Sequence, residues 1–555
     1  MRDIETKLFC QESQDLRFTA TELHEACTPS FLQIQRRLMP ADEEDAPSLP
    51  RISIQELFQR FHHQKQLLRN ANFALTDVFY AAPLSRAIAL DAKILTRDPT
   101  DNFVKHHPLL GCILSIKDSV MYRGSSSTHG FKVGYNKPFE KTAGIIAHLE
   151  NLGAVVVCKG NVPQALMTCE SNNFLFGNTS HPLDPSRTAG GSSGGEAANL
   201  ATFVVNGAVG SDIAGSLRIP ALFCGVFALK PTAGRFSICE SAMSEKWPNF
   251  GRTGDCQLLI LPTCGPMARS ALDIEALSMA MNNFSAYTLD VPPLPWTPAT
   301  APKKIGVLKA YSSIMEVCTA TQRALNEAVA ASGLETVEID IDDLMDELVT
   351  CTLACFMKDE ELRRFISRQL PLGEPLIDAY DSFRTLLSIP VWLLRLVVRL
   401  SLASPRDEIY IRGYLKSIDF NWEYLSSCKW RLRLEVIRRF HSAGVRVCLA
   451  HGIFPAIKKN TAKHCDLFAM YCFIWNFLNF PVGAVPITTV KECEQTYESV
   501  FNDKCTATLR DALKGAHGLP VGIQVVGLPW TDESVVEVMK LLESGLVQLA
   551  GSSSK

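Results

Sequence analysis

Residues 190–230, GGSSGGEAANLATFVVNGAVGSDIAGSLRIPALFCGVFALK, restrict the fold of this chain more than any other stretch. Two serines sit inside a run of glycines, the residue used where backbone approaches another group closely or takes positive φ. Between Gly190 and Gly215 the only ionisable side chains are Glu196 and Asp212. Glycine and serine are also the composition of a flexible linker. However, Val204, Val205, Ile213, Leu217 and Ile219 give this stretch apolar surface that must be buried. Serines among glycines beside a buried run read as a nucleophile in a backbone-lined cradle. The stretch alone does not choose among the serines.

The rest of the chain can supply a core around such a cradle. Its 555 residues suffice for several domains or for one large α/β enzyme, and 47% hydrophobic against 20% charged residues is ordinary for a globular protein. A net charge of −3 gives no basic field for nucleic acid. The 18 cysteines form no CxxC pair and residues 1–17 are too charged for a signal peptide, so free thiols in a reducing cytoplasm are expected. Cys351 and Cys355 stand one helical turn apart without a histidine pair to complete a zinc set. Neither a metal nor another cofactor is expected.

Along the chain, residues 1–50 read as a helical arm, near residues 30–38, and an acidic, proline-bearing linker. Residues 52–92 show apolar spacing near 3.6, as at Leu57, Phe61, Leu67 and Leu68, and read as two helices with His62 and His63 solvated. Residues 109–116, LLGCILSI, read as an apolar strand that delivers Lys117 and Asp118. Burial would lower the pKa of that lysine; a lysine that reaches solvent would keep it, and the segment leaves both open. Residues 142–152 read as a helix stopped by Gly153, and residues 154–158 as a strand. This strand–helix–strand rhythm, repeated at residues 305–341, is that of a parallel α/β sheet. The acidic run 340–347 reads as a solvated helix start. Residues 422–443 read as a helix stopped by Gly444, and residues 518–527 as a turn and a late core strand.

Two stretches bear on membranes. Residues 468–487 hold no charge over 20 residues, formally long enough to cross a bilayer. Asn476, Asn479, Pro481, Gly483 and Pro486 interrupt them, so a strand and loop inside a large core is expected instead. Residues 390–402, PVWLLRLVVRLSL, place Arg395 and Arg399 on one helical side, with Trp392 toward that edge. Leu393, Leu396, Val397 and Leu400 lie opposite. That is the pattern of an interfacial helix, and equally of a core-facing helix whose arginines meet solvent.

Ser192 and Ser193 each satisfy G-x-S-x-G, but a nucleophile elbow needs a hydrophobic strand just before the serine. Residues 183–189, LDPSRTA, are a loop, and none of the 12 histidines is marked as the base. The segments GNTSHPLDPSRTAGGSSGGEAANLA and GSDIAGSLRIPALFCGVFALKPTAGR resemble the amidase signature. The resemblance extends to Ile116-Lys117-Asp118, to CGPMAR at residues 264–269 and to GLPVG at residues 518–522, thus over about residues 52–546. Within that family the chain is most similar to the fatty acid amide hydrolases, through NFPVGAVPITTV at residues 479–490, VGLPW at residues 526–530 and the placement of the 390–402 helix.

The resemblance implies an α/β fold built on a single large mixed, mostly parallel twisted sheet covered by helices on both faces. It implies residues 51–548 as the catalytic domain behind the arm and linker of residues 1–50, with residues 372–404 as a membrane-facing helical cap. It implies a Ser-Ser-Lys triad in which neutral Lys117 takes a proton from Ser192, which takes one from the nucleophile Ser216. At a reference pKa of about 10.4 only about one lysine in 2500 is neutral at pH 7, so burial beside Leu114 and Ile116 must lower it. The backbone N–H groups of Ile213, Ala214, Gly215 and Ser216 would form the oxyanion hole. Where the family pattern reads D-I-G-G-S this chain has Ala214, and a positive φ there would cost about 1–2 kcal/mol. Ser193, Asp212 and Arg218 match supporting positions. Leu166, Met167 and Ser192 are the implied substrate contacts, and Trp392, Leu393, Leu396, Val397 and Leu400 the implied membrane contacts.

The implied reaction is hydrolysis of fatty acid amides such as N-acylethanolamines, and of esters, through an acyl-enzyme. The implied setting is the cytoplasm, peripheral on the cytosolic face of an internal membrane, without nucleic acid, as monomer or homodimer. The arm shows no transmembrane anchor, which departs from some fatty acid amide hydrolases. Three alternatives stay open: a soluble amidase of small or aryl amides, a subunit of a tRNA-dependent amidotransferase, and a catalytically inactive binding protein on the same scaffold.

Overall fold

Short apolar runs such as ILSIK and VVVCKG become fully buried strands, and they join with more exposed edge strands into one sheet. The computed structural model describes residues 53–59, 61, 74–96, 103–237, 259–285, 291–309, 316–358 and 374–552. Among these, the sheet has 11 strands. They are β1 (Leu75–Val78), β2 (Ile113–Lys117), β3 (Val155–Gly160), β4 (Gly207–Asp212), β5 (Phe227–Lys230), β6 (Thr263–Ala268), β7 (Lys304–Leu308), β8 (Glu335–Ile339), β9 (Val447–His451), β10 (Val482–Thr489) and β11 (Pro520–Gly527). Their order across the sheet is β1-β3-β2-β4-β6-β5-β10-β11-β9-β7-β8.

The mixed, helix-covered sheet is as expected, but its balance is not mostly parallel. Pairs β3–β2, β2–β4, β9–β7 and β7–β8 are parallel. The other six, including the whole run from β4 to β9, are antiparallel. Parallel neighbours require a crossover, usually helical. The two flanks contain the strand–helix–strand rhythm that could be read along the chain, and the centre does not.

Local expectations hold where a stop signal is explicit. Helix α1 (Gly144–Asn151) ends before Gly153, which has φ +104°. Helix α2 (Gly194–Ala201) follows the serine pair and α3 (Arg218–Cys224) follows β4. Helix α4 (Asp342–Lys358) opens on the acidic run. Helix α5 (Val391–Arg399) precedes α6 (Pro405–Asp419), whose N-cap Ser404 accepts from the Asp407 N–H. Helix α7 (Trp422–Ser442) is capped by Asn421 and stops before Gly444, φ +69°.

Two readings change. Residues 54–59 and 81–96 are helical as expected, but β1 lies between them; its sequence LTDV is too short and polar to announce a strand. Residues 470–477, expected as strand or loop, form helix α8 (Met470–Phe477) with every residue buried. A segment buried on all sides has no polar face, so periodicity cannot tell helix from strand. No described helix is long and apolar enough to cross a membrane. Residues 1–50, His62 and His63 lie outside the described residues.

The face of α5 also differs from expectation. Leu394 packs with Tyr414 and Leu415 of α6 in a small core of its own, flanked by Val391 and Val398. Trp392, Leu396 and Leu400 point outward, 68%, 40% and 55% exposed, while Leu393 and Val397 are half-buried. The side turned to the protein is therefore Val391, Leu394 and Val398. The outward side combines Trp392, Leu396 and Leu400 with Arg395, which pairs with Asp419 at the end of α6.

Candidate active site

Strand β2 is buried along its whole length and ends at Lys117, so the lysine side chain is delivered into the interior with nothing exposed. Its Nζ donates to Ser192 Oγ at 2.7 Å, to Ser211 Oγ at 2.9 Å and to the Ser211 carbonyl at 3.3 Å. Burial pulls the lysine pKa down to about 8, against the opposing charges of Glu196, Asp212 and Asp118. The solvent-reaching alternative for this lysine is excluded.

The glycine–serine run forms the turn into α2 and is tied to β4 by Ser193. The Ser193 N–H donates to the Ser216 carbonyl at 3.0 Å, and its hydroxyl lies 3.3 Å from the Ser211 carbonyl. Strand β4 ends at Asp212, and residues 213–217 turn into α3. Ser216 stands in that turn. It is 8% exposed against 1% for Ser192 and 0% for Lys117, the most exposed of the three.

Asp212 and Arg218 clamp the two ends of the turn. Arg218 Nε donates to Asp212 Oδ2 at 3.0 Å and Nη2 to Oδ1 at 3.1 Å, both side chains fully buried. Burial alone would raise the Asp212 carboxyl, but the Arg218 guanidinium holds it well below the usual carboxylate range. The same carboxylate accepts the Gly215 N–H at 2.8 Å and the Leu217 N–H at 3.1 Å. This corrects the expected oxyanion hole. The Gly215 N–H is already bonded, and among the described residues no acceptor meets the N–H of Ile213, Ala214 or Ser216. Positive φ falls on Gly215, +113°, and not on Ala214, so the alanine carries none of the feared strain.

The segment holding Leu166 and Met167 runs beside the cradle. Ala165 and Leu166 both take positive φ, 66° and 65°, and Met167 packs on the main core. Four residues on, Ser171 Oγ donates to the Gly190 carbonyl at 2.9 Å. Both expected contacts are half-buried.

Strand β2 and the glycine run thus bring Lys117 and Ser192 into hydrogen-bond contact, and the β4–α3 turn ties Ser216 to the same run through the Ser193 N–H. The family model described as Amidase matches residues 56–536. The chain belongs to the amidase family. This amidase is 29% identical over 457 residues to the fatty-acid amide hydrolase 1 of Sus scrofa, covering 78% of this chain and 75% of that one. It is 28% identical over 503 residues to an amidase of Gibberella moniliformis, covering 89% and 85%. Among solved structures, a fatty acid amide hydrolase shares its fold with TM-score 0.74 at 21% identity, over 98% of this chain and 90% of that one. As a member of this family, the chain is an amide hydrolase.

Sequence reading of this amidase missed the residues that complete the clamp and the lysine's second partner. Asn476 of α8 bonds both Arg218 and Asp212, and Gln524 of β11 accepts from Arg218 Nη1 at 3.0 Å. Ser211 carried no signal beyond its place before Asp212. Cys351, read with Cys355, instead meets Cys428 of α7 and Glu347, their ligand-type atoms within 4.8 Å of one another. Lys416 lies 3.5 Å from the Cys351 sulfur and Arg431 pairs with Glu347, so cations already face these groups. Every described cysteine is a free thiol.

Proposed function

We propose that this amidase hydrolyses long-chain fatty acyl amides at a membrane surface through a Ser216 acyl-enzyme, with Lys117 and Ser192 as the proton relay. The observation that carries the mechanism is the 2.7 Å contact from Lys117 Nζ to Ser192 Oγ inside a fully buried pair. Ser216 Oγ attacks the amide carbonyl carbon as its proton passes to Ser192 and the Ser192 proton passes to Lys117. The oxyanion faces the N–H groups of Ile213, Ala214 and Ser216. The C–N bond breaks as the proton returns through Ser192 to the leaving nitrogen, and water then releases the acid by the same relay.

A neutral lysine is the working base, so kcat/KM is expected to rise about tenfold per pH unit up to about pH 8 and to level off above it. An acid limb centred below pH 6 in a pH–rate profile would sink the lysine as base.

The substrate class is supported by the outward apolar side of α5 and by the fatty acid amide hydrolases of Sus scrofa and Caenorhabditis elegans among the relatives. Trp392→Asp with Leu396→Asp is expected to lower co-sedimentation with anionic vesicles at least about tenfold, since each exchange removes exposed apolar area that a bilayer would cover. Turnover of acyl amides of graded length is expected to climb with chain length only when vesicles are present. Equal turnover of short and aryl amides without vesicles would favour the soluble alternative.

A further inference from the structure

Of the two ionisable side chains in the cradle, Asp212 is matched by Arg218, but Glu196 is not matched in that way. Glu196 stands in the first turn of α2 with nothing exposed. Its Oε1 accepts from Ser115 Oγ at 3.4 Å, its carboxylate lies toward the Gly160 and Glu196 N–H groups, and Oε2 has no hydrogen-bond partner. A buried carboxylate so sparsely bonded is costly unless a charge offsets it.

The sheet makes room for that carboxylate beside the catalytic lysine. A Cβ on Gly160 would lie 2.0 Å from Glu196 Oε1, so only glycine leaves the space. Gly160 is the register partner of Lys117 across the parallel β2–β3 pair. Ser115 and Lys117, two apart on β2, project to one face, and Glu196 bonds Ser115 on that face. Asn199, one turn along α2, lies 3.5 Å from the same Ser115 hydroxyl.

We infer that Glu196 is a positioning residue whose carboxylate supplies the counter-charge for the Lys117 ammonium formed when the Ser216 proton arrives through Ser192. The inference rests on the relay proposed above. The direct hydrogen-bond partners of Lys117 Nζ are all neutral oxygens, so in a low-dielectric interior a new ammonium depends on carboxylate charge nearby. The other charged groups around Lys117 have partners of their own, although Asp118 Oδ1, like Glu196 Oε2, has no hydrogen bond among the described residues. Asp212 is held by Arg218 and Asn476. Asp118 accepts the Thr128 and His129 N–H groups. His129 is pushed down to about 4 by burial and is neutral at working pH. Lys159 donates to the Ser126 carbonyl and Ser127 Oγ. Burial raises the Glu196 carboxyl while Lys117 opposes the rise, as two groups facing each other must.

The test is the pH profile of kcat/KM, together with the rate at which a fluorophosphonate labels Ser216. In Glu196→Gln the acid limb is expected to move to lower pH by about one unit, because the ammonium loses its counter-charge. The plateau is expected to fall roughly tenfold, because a less basic lysine is a weaker base. Glu196→Ser, smaller and also neutral, is the second variant and should show the same displacement. Glu196→Asp keeps the charge and should keep the wild-type limb. A limb that stays in place in a folded neutral variant, or that moves equally in the aspartate variant, overturns the inference and leaves the relay standing. Undiminished turnover in Ser216→Ala would remove the relay itself.

Discussion

Ser216→Ala is expected to lower amide turnover by about four orders of magnitude or more, the scale seen when a nucleophile acting within a unit is removed. The loss falls on chemistry and not on folding. The exchange removes one oxygen from a turn held by other groups: the Asp212 carboxylate keeps the Gly215 and Leu217 N–H groups, and the Ser193 N–H keeps the Ser216 carbonyl. Stability should stay within about 1 kcal/mol of wild type. Two measurements read the outcome: steady-state hydrolysis of a long-chain acyl amide, and intact mass after fluorophosphonate treatment. Wild type should gain one adduct and the variant none. Residual turnover near the wild-type rate, or an adduct that persists, would show that another group attacks.

The second large effect is on stability. Arg218→Met leaves Asp212 charged at the centre of the molecule, and breaking a buried pair by removing one partner costs about 3–5 kcal/mol. The loss should exceed that of the pair Asp212→Asn with Arg218→Met, which leaves no uncompensated charge. Urea unfolding followed by tryptophan fluorescence gives the comparison, and a single variant as stable as the double would end the argument. Because Asp212 also holds the backbone around Ser216, the single variant should lose activity before it unfolds. The sign with pH follows from the depressed carboxyl. The pair's contribution is complete above the ordinary aspartate pKa of about 3.9, and it declines as pH falls toward the folded value.

Much of the site could be read along the chain because its chemistry is local. The strand that carries Lys117, the glycine run around Ser192 and the turn holding Ser216 are each short, and each keeps its composition whatever surrounds it. Gly153 and Gly444 stop their helices as written, because a glycine stop acts within one turn. Asp212 and Arg218 could each be matched to a supporting position, but their pairing shows only in the fold. What could not be read was contributed from far away. Asn476 and Gln524 reach Arg218 from 258 and 306 residues along the chain. In sequence they are an asparagine inside an apolar run and a glutamine in a core strand, where polar residues look like defects. The Gly215 N–H was assigned to the substrate because only the folded turn shows that Asp212 already holds it.

By itself, then, the sequence determined the family, the three relay residues to be tested and the general α/β plan. These follow from local backbone and side-chain requirements that tolerate few substitutes. The tertiary structure decided the antiparallel centre of the sheet, the outward side of α5 and the position of Glu196 on the face that carries Lys117. Strand order, helix rotation and burial depend on which distant surfaces meet. Desolvation, which lowers the pKa of Lys117, exists only once they have met.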